Sequence, residues 1–286
     1  MSAPALFLPQ PGDDGRTLFA PADCARSVWS LDLVHGAAMA ALLARGVEGA
    51  VRPELRVARL TIDLMRPAPM QPLEARTTVV REGRRIQVVQ SGLFTTRGDE
   101  TVELARATAL ALRPSDLRAG EPLDINAARP PDPESLPRRP ANMAGGAEAY
   151  HSTVEWRPVG EWGASPRPML WIRNPAQIVP GEPLSPLARA VATADSLSPL
   201  ANWEPSRRRE GAVSFINADI TLYLHRESAD EWLCVVATSR QGDEGFVVCD
   251  GALYDRRGPL GRIALASLAQ TAQPLGLAPP PGEGGR

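Results

Sequence analysis

The feature that most constrains this chain is that it is written twice. With Arg226 set on Arg66 and no gap, Thr221 falls on Thr61, Leu224 on Leu64, Val248 on Val88 and Gly258 on Gly98, an offset of 160 residues. The segment YDRRG (254–258) then falls on FTTRG (94–98). Chance can align one strand, but several strands and turns in one register point to a duplicated unit.

Each copy reads as a helix followed by strands. In the first, WSLDLVHGAAMAALLARGVE (29–48) sets Ala38, Leu42, Leu43 and Val47 at helical spacing with almost no charge. The runs VARLTIDLM (57–65), IQVVQSGLF (86–94) and TVELARATALAL (101–112) read as strands, separated by a long turn around REGRR and a tight one at TTRGDE. In the second, PLSPLARAVATAD (183–195) is the helix, and INADITLYLHR (216–226), FVVCDGALY (246–254) and GRIALASLAQ (261–270) are the strands. Shorter strand-like runs precede each helix, TLFAPA and SVWS before the first, TVEWRPV and PMLWIRN before the second. Residues 1–113 thus form an N-terminal repeat and 148–276 a C-terminal one. Between them, 114–147 is a Pro/Gly-rich linker without hydrophobic periodicity, and 277–286 a disordered tail.

A helix that is apolar on every side must be wrapped. A curved antiparallel sheet rolled about a long central helix does this, and two such units would pair edge to edge about a pseudo-twofold axis. The expected class is α+β, two tandem repeats of helix and wrapping sheet.

Composition removes several functions. A hydrophobic share of 43% over 286 residues allows a substantial core. A net charge of -2 and a pI near 6.0 give no basic footprint for nucleic acid and no polybasic segment for a membrane surface. All 31 basic residues are arginines, which excludes Schiff-base lysine chemistry and the lysines of phosphate loops and kinases. Cys24, Cys234 and Cys249 form an odd set, expected as small core hydrophobes in a reducing compartment. The N-terminal residues lack a positively charged leader and no apolar run approaches a membrane span, so a cytoplasmic location is expected. His35, His151 and His225 are widely separated and no cysteine pair has ligand spacing, so neither a metal nor another cofactor is expected. There is no G-x-S-x-G elbow. A small-molecule substrate and a second copy of the chain, in a homo-oligomer, are the expected partners.

One carboxylate stands out. In VATADSLSPLAN (191–202), Asp195 interrupts an apolar run at the end of the second helix, where unpaired carbonyls already disfavour an anion. Taken alone it reads as a helix-end or turn residue, since SLSP is good turn chemistry.

The duplicated helix-and-sheet order, the HGAAMAALL helix start, LTIDLMRPAP leading to REGRRIQVVQSGLF, and LYLHR with GRIALASLAQ together resemble the TesB-like (type II) acyl-CoA thioesterases, which have the double-hotdog fold. The resemblance covers nearly the whole chain outside the linker and termini. It implies hydrolysis of an acyl-CoA thioester to free acid and CoA by water held among three polar residues. Carried over by position, the aspartate is Asp195, the glutamine of the last strand is Gln270, and the strand hydroxyl falls on Asn217, a departure from the family pattern. An amide can orient water but cannot donate and accept at one atom as a hydroxyl does. Backbone N–H groups around His35 and Gly36, at the first helix start, are the expected oxyanion donors. In the repeat register Asn217 corresponds to Val57, Gln270 to Leu110, and Asp195 to Arg45 or a close neighbour, so one polar cluster per chain is expected, between the halves.

Two other functions compete with the thioesterase. An R-specific enoyl-CoA hydratase of the same fold resembles a G-D-x-N-P-x-H pattern, of which TADSLSPL keeps the aspartate and proline but no histidine. A non-catalytic or very slow binder of acyl-CoA or acyl carrier is motivated by Asn217. The arginine run 207–209 reads as a solvated loop before it reads as a phosphate contact.

Overall fold

The structure is a computed structural model that describes residues 3–12, 15–117, 120, 128–139, 147–161, 165–202 and 213–271. The arginine run 207–209 and the tail 277–286 lie outside the described residues.

In the N-terminal half, strands β1 (Phe7–Pro11) and β2 (Thr17–Pro21) precede helix α1 (Gly36–Ala50), and β3 (Arg56–Leu64), β4 (Leu73–Glu82), β5 (Ile86–Arg97) and β6 (Glu100–Leu112) follow it. In the C-terminal half come β7 (Glu155–Pro158), β8 (Met169–Arg173), β9 (Gln177–Val179), β10 (Glu182–Pro183), α2 (Pro186–Ala194) and α3 (Leu197–Ala201). Then come β11 (Val213–Asn217), β12 (Asp219–Leu224), β13 (Trp232–Asp243), β14 (Phe246–Asp255) and β15 (Gly258–Thr271). One long strand in each half is absent from the sequence reading. β4 and β13 were missed because LEARTTVVRE is largely exposed and loses its alternation, and WLCVVATSRQGD switches from buried to exposed midway. SVWS, expected as a strand, is a bend with one isolated bridge from Arg26 to Val34.

The main sheet runs β1-β2-β4-β5-β6-β3-β12-β15-β14-β13-β8-β7, with β11 also on β15. This order is a palindrome whose centre is the β3–β12 seam. There Thr61 sits opposite Thr221, its own repeat equivalent, and their hydroxyls lie 3.3 Å apart. A residue paired with its own copy marks the pseudo-twofold axis.

The offset of 160 holds for three strand pairs and then changes. Val79 faces Val89 on β4–β5 and, across one bulge each, Arg81↔Val88 repeats as Gln241↔Val248 on β13–β14. Val88 in turn pairs with Leu110, whereas Val248 pairs with Ala266, an offset of 156 in the last strand. The β14–β15 hairpin is four residues shorter than β5–β6, so Gly258 is not the equivalent of Gly98, and Gln270 is not that of Leu110. Elsewhere the duplication reaches irregularities. Register shifts between Val57 and Arg59 on β3, and Ala218 separates β11 from β12 at the repeated position.

The helices lie against the sheet and antiparallel to each other, since the end of α1 meets the start of α2 through Arg45–Glu182 (2.8 Å) and Glu48–Ser185 (2.5 Å). α1 is wrapped as its composition demands: Ala37 to Ala44 and Val47 are all buried. It passes so close to β4 and β5 that a Cβ on Gly46 would stand 2.5 Å from the Ser91 hydroxyl and 2.8 Å from that of Thr77. The second helix is not one long element as expected. It breaks at Asp195–Ser196 into pieces of nine and five residues.

Part of the proline-rich segment is packed. The Ala128 N–H donates to the Tyr254 hydroxyl, the Trp171 indole to the Pro131 carbonyl and the Trp232 indole to Glu134. These contacts cover a second apolar cluster on the C-terminal half. No helix among the described residues is long and apolar enough to cross a membrane.

Candidate active site

The break in the second helix is where the polar residues gather. Asp195 caps α2, 8% exposed, at the point where the start of α1 comes from the other half. Gly36 is the first residue of α1, and a Cβ there would lie 3.4 Å from Asp195 Oδ1 and 3.6 Å from Leu64. The absent side chain lets the helix start approach the carboxylate. His35 is the N-cap of α1. Its Nδ1 accepts from the Ala37 N–H at 3.1 Å and lies 3.6 Å from Asp195 Oδ2. Burial holds the His35 imidazole down at about 4, so it is neutral near pH 7, and two acceptors face each other across a gap too long for a direct hydrogen bond.

Burial also dominates Asp195, pushing it up to about 6 against the hydrogen bonds from Asn217 and the Ala37 N–H, which favour the anion. Asn217, at the end of β11, donates from Nδ2 to Asp195 Oδ1 at 2.9 Å. Its Oδ1 accepts from the Ser267 hydroxyl at 3.0 Å. The chain continues through Ser198 (3.1 Å from Ser267 Oγ) and Asn202 to Arg240, whose Nε donates to Asn202 Oδ1 at 2.6 Å. Ser267, Ser198 and Asn202 are buried, Asn217 is half-buried and Arg240 is exposed, and each is satisfied by the next, so the amide of Asn217 is held in one orientation.

The structure therefore brings together Asp195, Asn217, His35 and Gly36, and leaves Gln270 apart. Asn217 sits opposite Ser267 on β15, and Gln270 sits opposite Ser214. An odd separation of three residues turns Gln270 to the other face of the strand, with exposed Leu268 and Ile216, away from α2. The third polar member here is Ser267. Sequence reading missed it because the carry-over from the family pattern fixes on Gln270, and which face of β15 a residue takes depends on the register against β11. It also missed Ser198, which only the helix break delivers.

The wall of the site is aromatic. His35 stacks on Tyr150 at 4.6 Å, and His151 meets both His35 (4.8 Å) and Trp156 (4.9 Å) edge-on. The Tyr150 hydroxyl accepts from Asn174, and burial with the nearby Asp195 charge raises the phenol well above its ordinary value. His151 is thus part of the wall, buried and held well below its ordinary value by desolvation. Cys24 and Cys249 are buried and pushed up to about 11, which removes them as thiolate nucleophiles. No group of three His, Cys, Asp or Glu among the described residues could hold a metal ion.

Both halves match known family models. Residues 25–112 match the acyl-CoA thioesterase N-terminal domain and 127–270 the acyl-CoA thioesterase C-terminal domain. None of the curated proteins is significantly similar in sequence. Among solved structures, a putative thioesterase II from Thermobifida fusca is 16% identical with a TM-score of 0.69, covering 92% of this chain and 95% of that one. A protein of unknown function with a hot dog fold from Alicyclobacillus acidocaldarius has 17% identity and a TM-score of 0.69, over 91% and 96% of the two chains. An acyl-CoA thioesterase II from Mycobacterium marinum has 17% identity and a TM-score of 0.62, over 82% and 90%. At such identity these structures establish the double-hotdog fold.

Proposed function

The chain belongs to the acyl-CoA thioesterase family, and on that premise we propose that it hydrolyses an acyl-CoA thioester to free acid and CoA at the Asp195 cluster, with no cofactor. The observation that carries this reading is the placement of one buried carboxylate, held from one side by Asn217, against a helix N-terminus supplied by the other half.

Water bound beside Asp195 Oδ2 loses a proton to the carboxylate as its oxygen attacks the thioester carbon. A basicity near 6 suits this role, because the group is ionised at neutral pH yet accepts a proton more readily than an ordinary aspartate. Asn217 fixes Oδ1, and its own carbonyl oxygen keeps a lone pair for the water beyond the one taken by Ser267. Charge developing on the carbonyl oxygen is met by the start of α1, where Gly36 leaves the backbone bare and the helix dipole is positive. The tetrahedral intermediate then expels the CoA thiolate, which is protonated as Asp195 gives its proton back. The neutral His35 caps α1, and its ring stands against Asp195 Oδ2 without giving the carboxylate a cationic partner.

The test is free-thiol release from acyl-CoAs running from acetyl to palmitoyl, beside an Asp195→Asn control. Turnover that peaks at one chain length and collapses in the control is the expected result. One observation favours a second reading, a non-hydrolytic binder of acyl groups: Asn217 places an amide where the family pattern has a hydroxyl. Asn217→Thr separates the two, since a large rise in turnover points to a site that only holds its ligand.

A further inference from the structure

The pseudo-twofold axis makes a second end of the helix pair, and that end is open. There the end of α1 meets the start of α2, and a solvent-facing cleft of about 180 Å³ lies between them. Its apolar wall includes Val57, Leu187, Leu224 and Leu260. Val57 is the repeat of Asn217, and Leu224 is the repeat of the Leu64 that a Cβ on Gly36 would meet in the active site. Pro186, the first residue of α2, stands where α1 has Gly36, so the N–H and the bare backbone are both gone. The cleft has one carboxylate, Glu48, which accepts from the Ser185 hydroxyl, and it has no counterpart of Asn217.

Its rim is ionic and paired within itself: Arg52 lies near Glu54 and Glu82, Arg56 near Glu227, and Asp255 holds Arg226 bidentately. Beyond the mouth, Arg84, Arg85 and Arg113 line a second, adjoining depression. The two are joined through the backbone: Arg52 donates to the Gly83 carbonyl at 2.7 Å, and Arg56 pairs with Leu112, the residue before Arg113. Arg84, Arg85 and Arg113 are exposed and make no side-chain hydrogen bond or ion pair among the described residues. Three like charges held together without a counter-charge repel one another, and a multiply charged anion relieves that repulsion. Arginine forks suit phosphate in particular.

We propose that this end is a second, non-hydrolytic site for an anionic amphiphile of the substrate's own class, with an acyl chain in the cleft and CoA phosphates on Arg84, Arg85 and Arg113. The assignment of class rests on the thioesterase reading, but the binding does not depend on turnover.

The test titrates the full chain calorimetrically with an acyl-CoA analogue whose thioester is replaced by an uncleavable thioether, and separately with CoA and with the free fatty acid. Two equivalents of the thioether per chain are expected. The triple change Arg84→Glu, Arg85→Glu, Arg113→Glu, all on the surface, should weaken one of them at least tenfold and leave the other. Val57→Trp should remove the same equivalent by filling the cleft. A single equivalent in the unaltered chain, unmoved by either change, overturns the proposal. A second equivalent seen with the fatty acid alone, indifferent to the three arginines, overturns the assignment of phosphates to them. If the chain cleaves no acyl-CoA at all while two equivalents still titrate, the catalytic reading fails and this one stands.

Discussion

The two ends of the helix pair have the same architecture and opposite chemistry. At one, a histidine caps the incoming helix, glycine follows it, and an aspartate with an asparagine waits on the partner half. At the other, a serine caps the helix, proline follows, and the positions equivalent to Asp195 and Asn217 hold Arg45 and Val57. Arg45 is spent on an exposed ion pair with Glu182, and Glu48, one turn on, accepts from Ser185. Duplication supplied two equivalent frames, and a handful of substitutions decides which frame can ionise water. The fold tolerates either set, because the wrapping of α1 and the β3–β12 seam do not pass through these side chains.

The largest expected difference is catalytic. Asp195→Asn should lower turnover by about 10³-fold or more, in the range of a lost general base. Arg45→Asn, the same change in the other frame, should leave turnover within about twofold. Thiol release measured on both variants checks this, and comparable losses would mean that the asymmetry is not functional. Activity of the unaltered chain should rise with pH through about 6, as Asp195 ionises, and level off above it.

Next comes the stability cost of the same carboxylate. The fold raises Asp195 from 3.8 to about 6, so it favours the protonated form. Below the ordinary value there is no penalty; between the two values stability falls as pH rises; above 6 the whole penalty is present. Two pH units correspond to about 3 kcal/mol. Asp195→Asn should therefore be the more stable protein at pH 8, by up to that amount, with the gap closing toward pH 4. The buried histidines His35 and His151 run in the other direction, since the fold disfavours their protonation and loses stability as pH falls below 6.5. They are present in both proteins, so they cancel when denaturant midpoints are compared at one pH.

A smaller effect distinguishes two residues on one strand. Ser267→Ala removes the donor that fixes the Asn217 amide and should cost about fivefold in turnover, consistent with one hydrogen bond of about 1 kcal/mol. Gln270→Ala, on the outer face, should cost less than twofold. Reversal of that order would return the glutamine to the site.

How these residues could be read in advance differs between the halves as well. The duplication, the wrapped helix and the edge-to-edge pairing were legible because apolar periodicity and the 160-residue offset are properties of single segments. Asn217 is legible from its distance to LYLHR in the family pattern, and Asp195 because a carboxylate in an apolar run is conspicuous. Gln270 rests on the family pattern alone, and a linear pattern does not show which face of β15 a position takes, which the register against β11 decides. Ser198 and the Tyr150, His151 and Trp156 wall could not be read at all. They meet the site through a helix break and through a segment returning from the linker, and neither leaves a periodic signal.

The smallest predicted effect tests the frames most directly, because it changes one residue type at one place in each. Ser185 accepts from the Ala188 N–H at 3.0 Å as N-cap of α2 and donates to Glu48. His35 accepts from the Ala37 N–H as N-cap of α1. Replacing either with alanine removes one cap and should cost about 1 kcal/mol in a denaturant titration. For Ser185→Ala, Glu48 also loses the bond that opposes its burial, so its carboxyl, already raised, should move further up. Stability alone would not tell the two variants apart. Turnover would: His35→Ala opens the wall beside the attacking water and should slow hydrolysis several-fold, whereas Ser185→Ala acts at the end that cannot cleave and should leave it unchanged. Matching losses of turnover would show that the cap contributes only by holding its helix in place, and that the chemical difference between the frames lies in Asp195 and Asn217 alone.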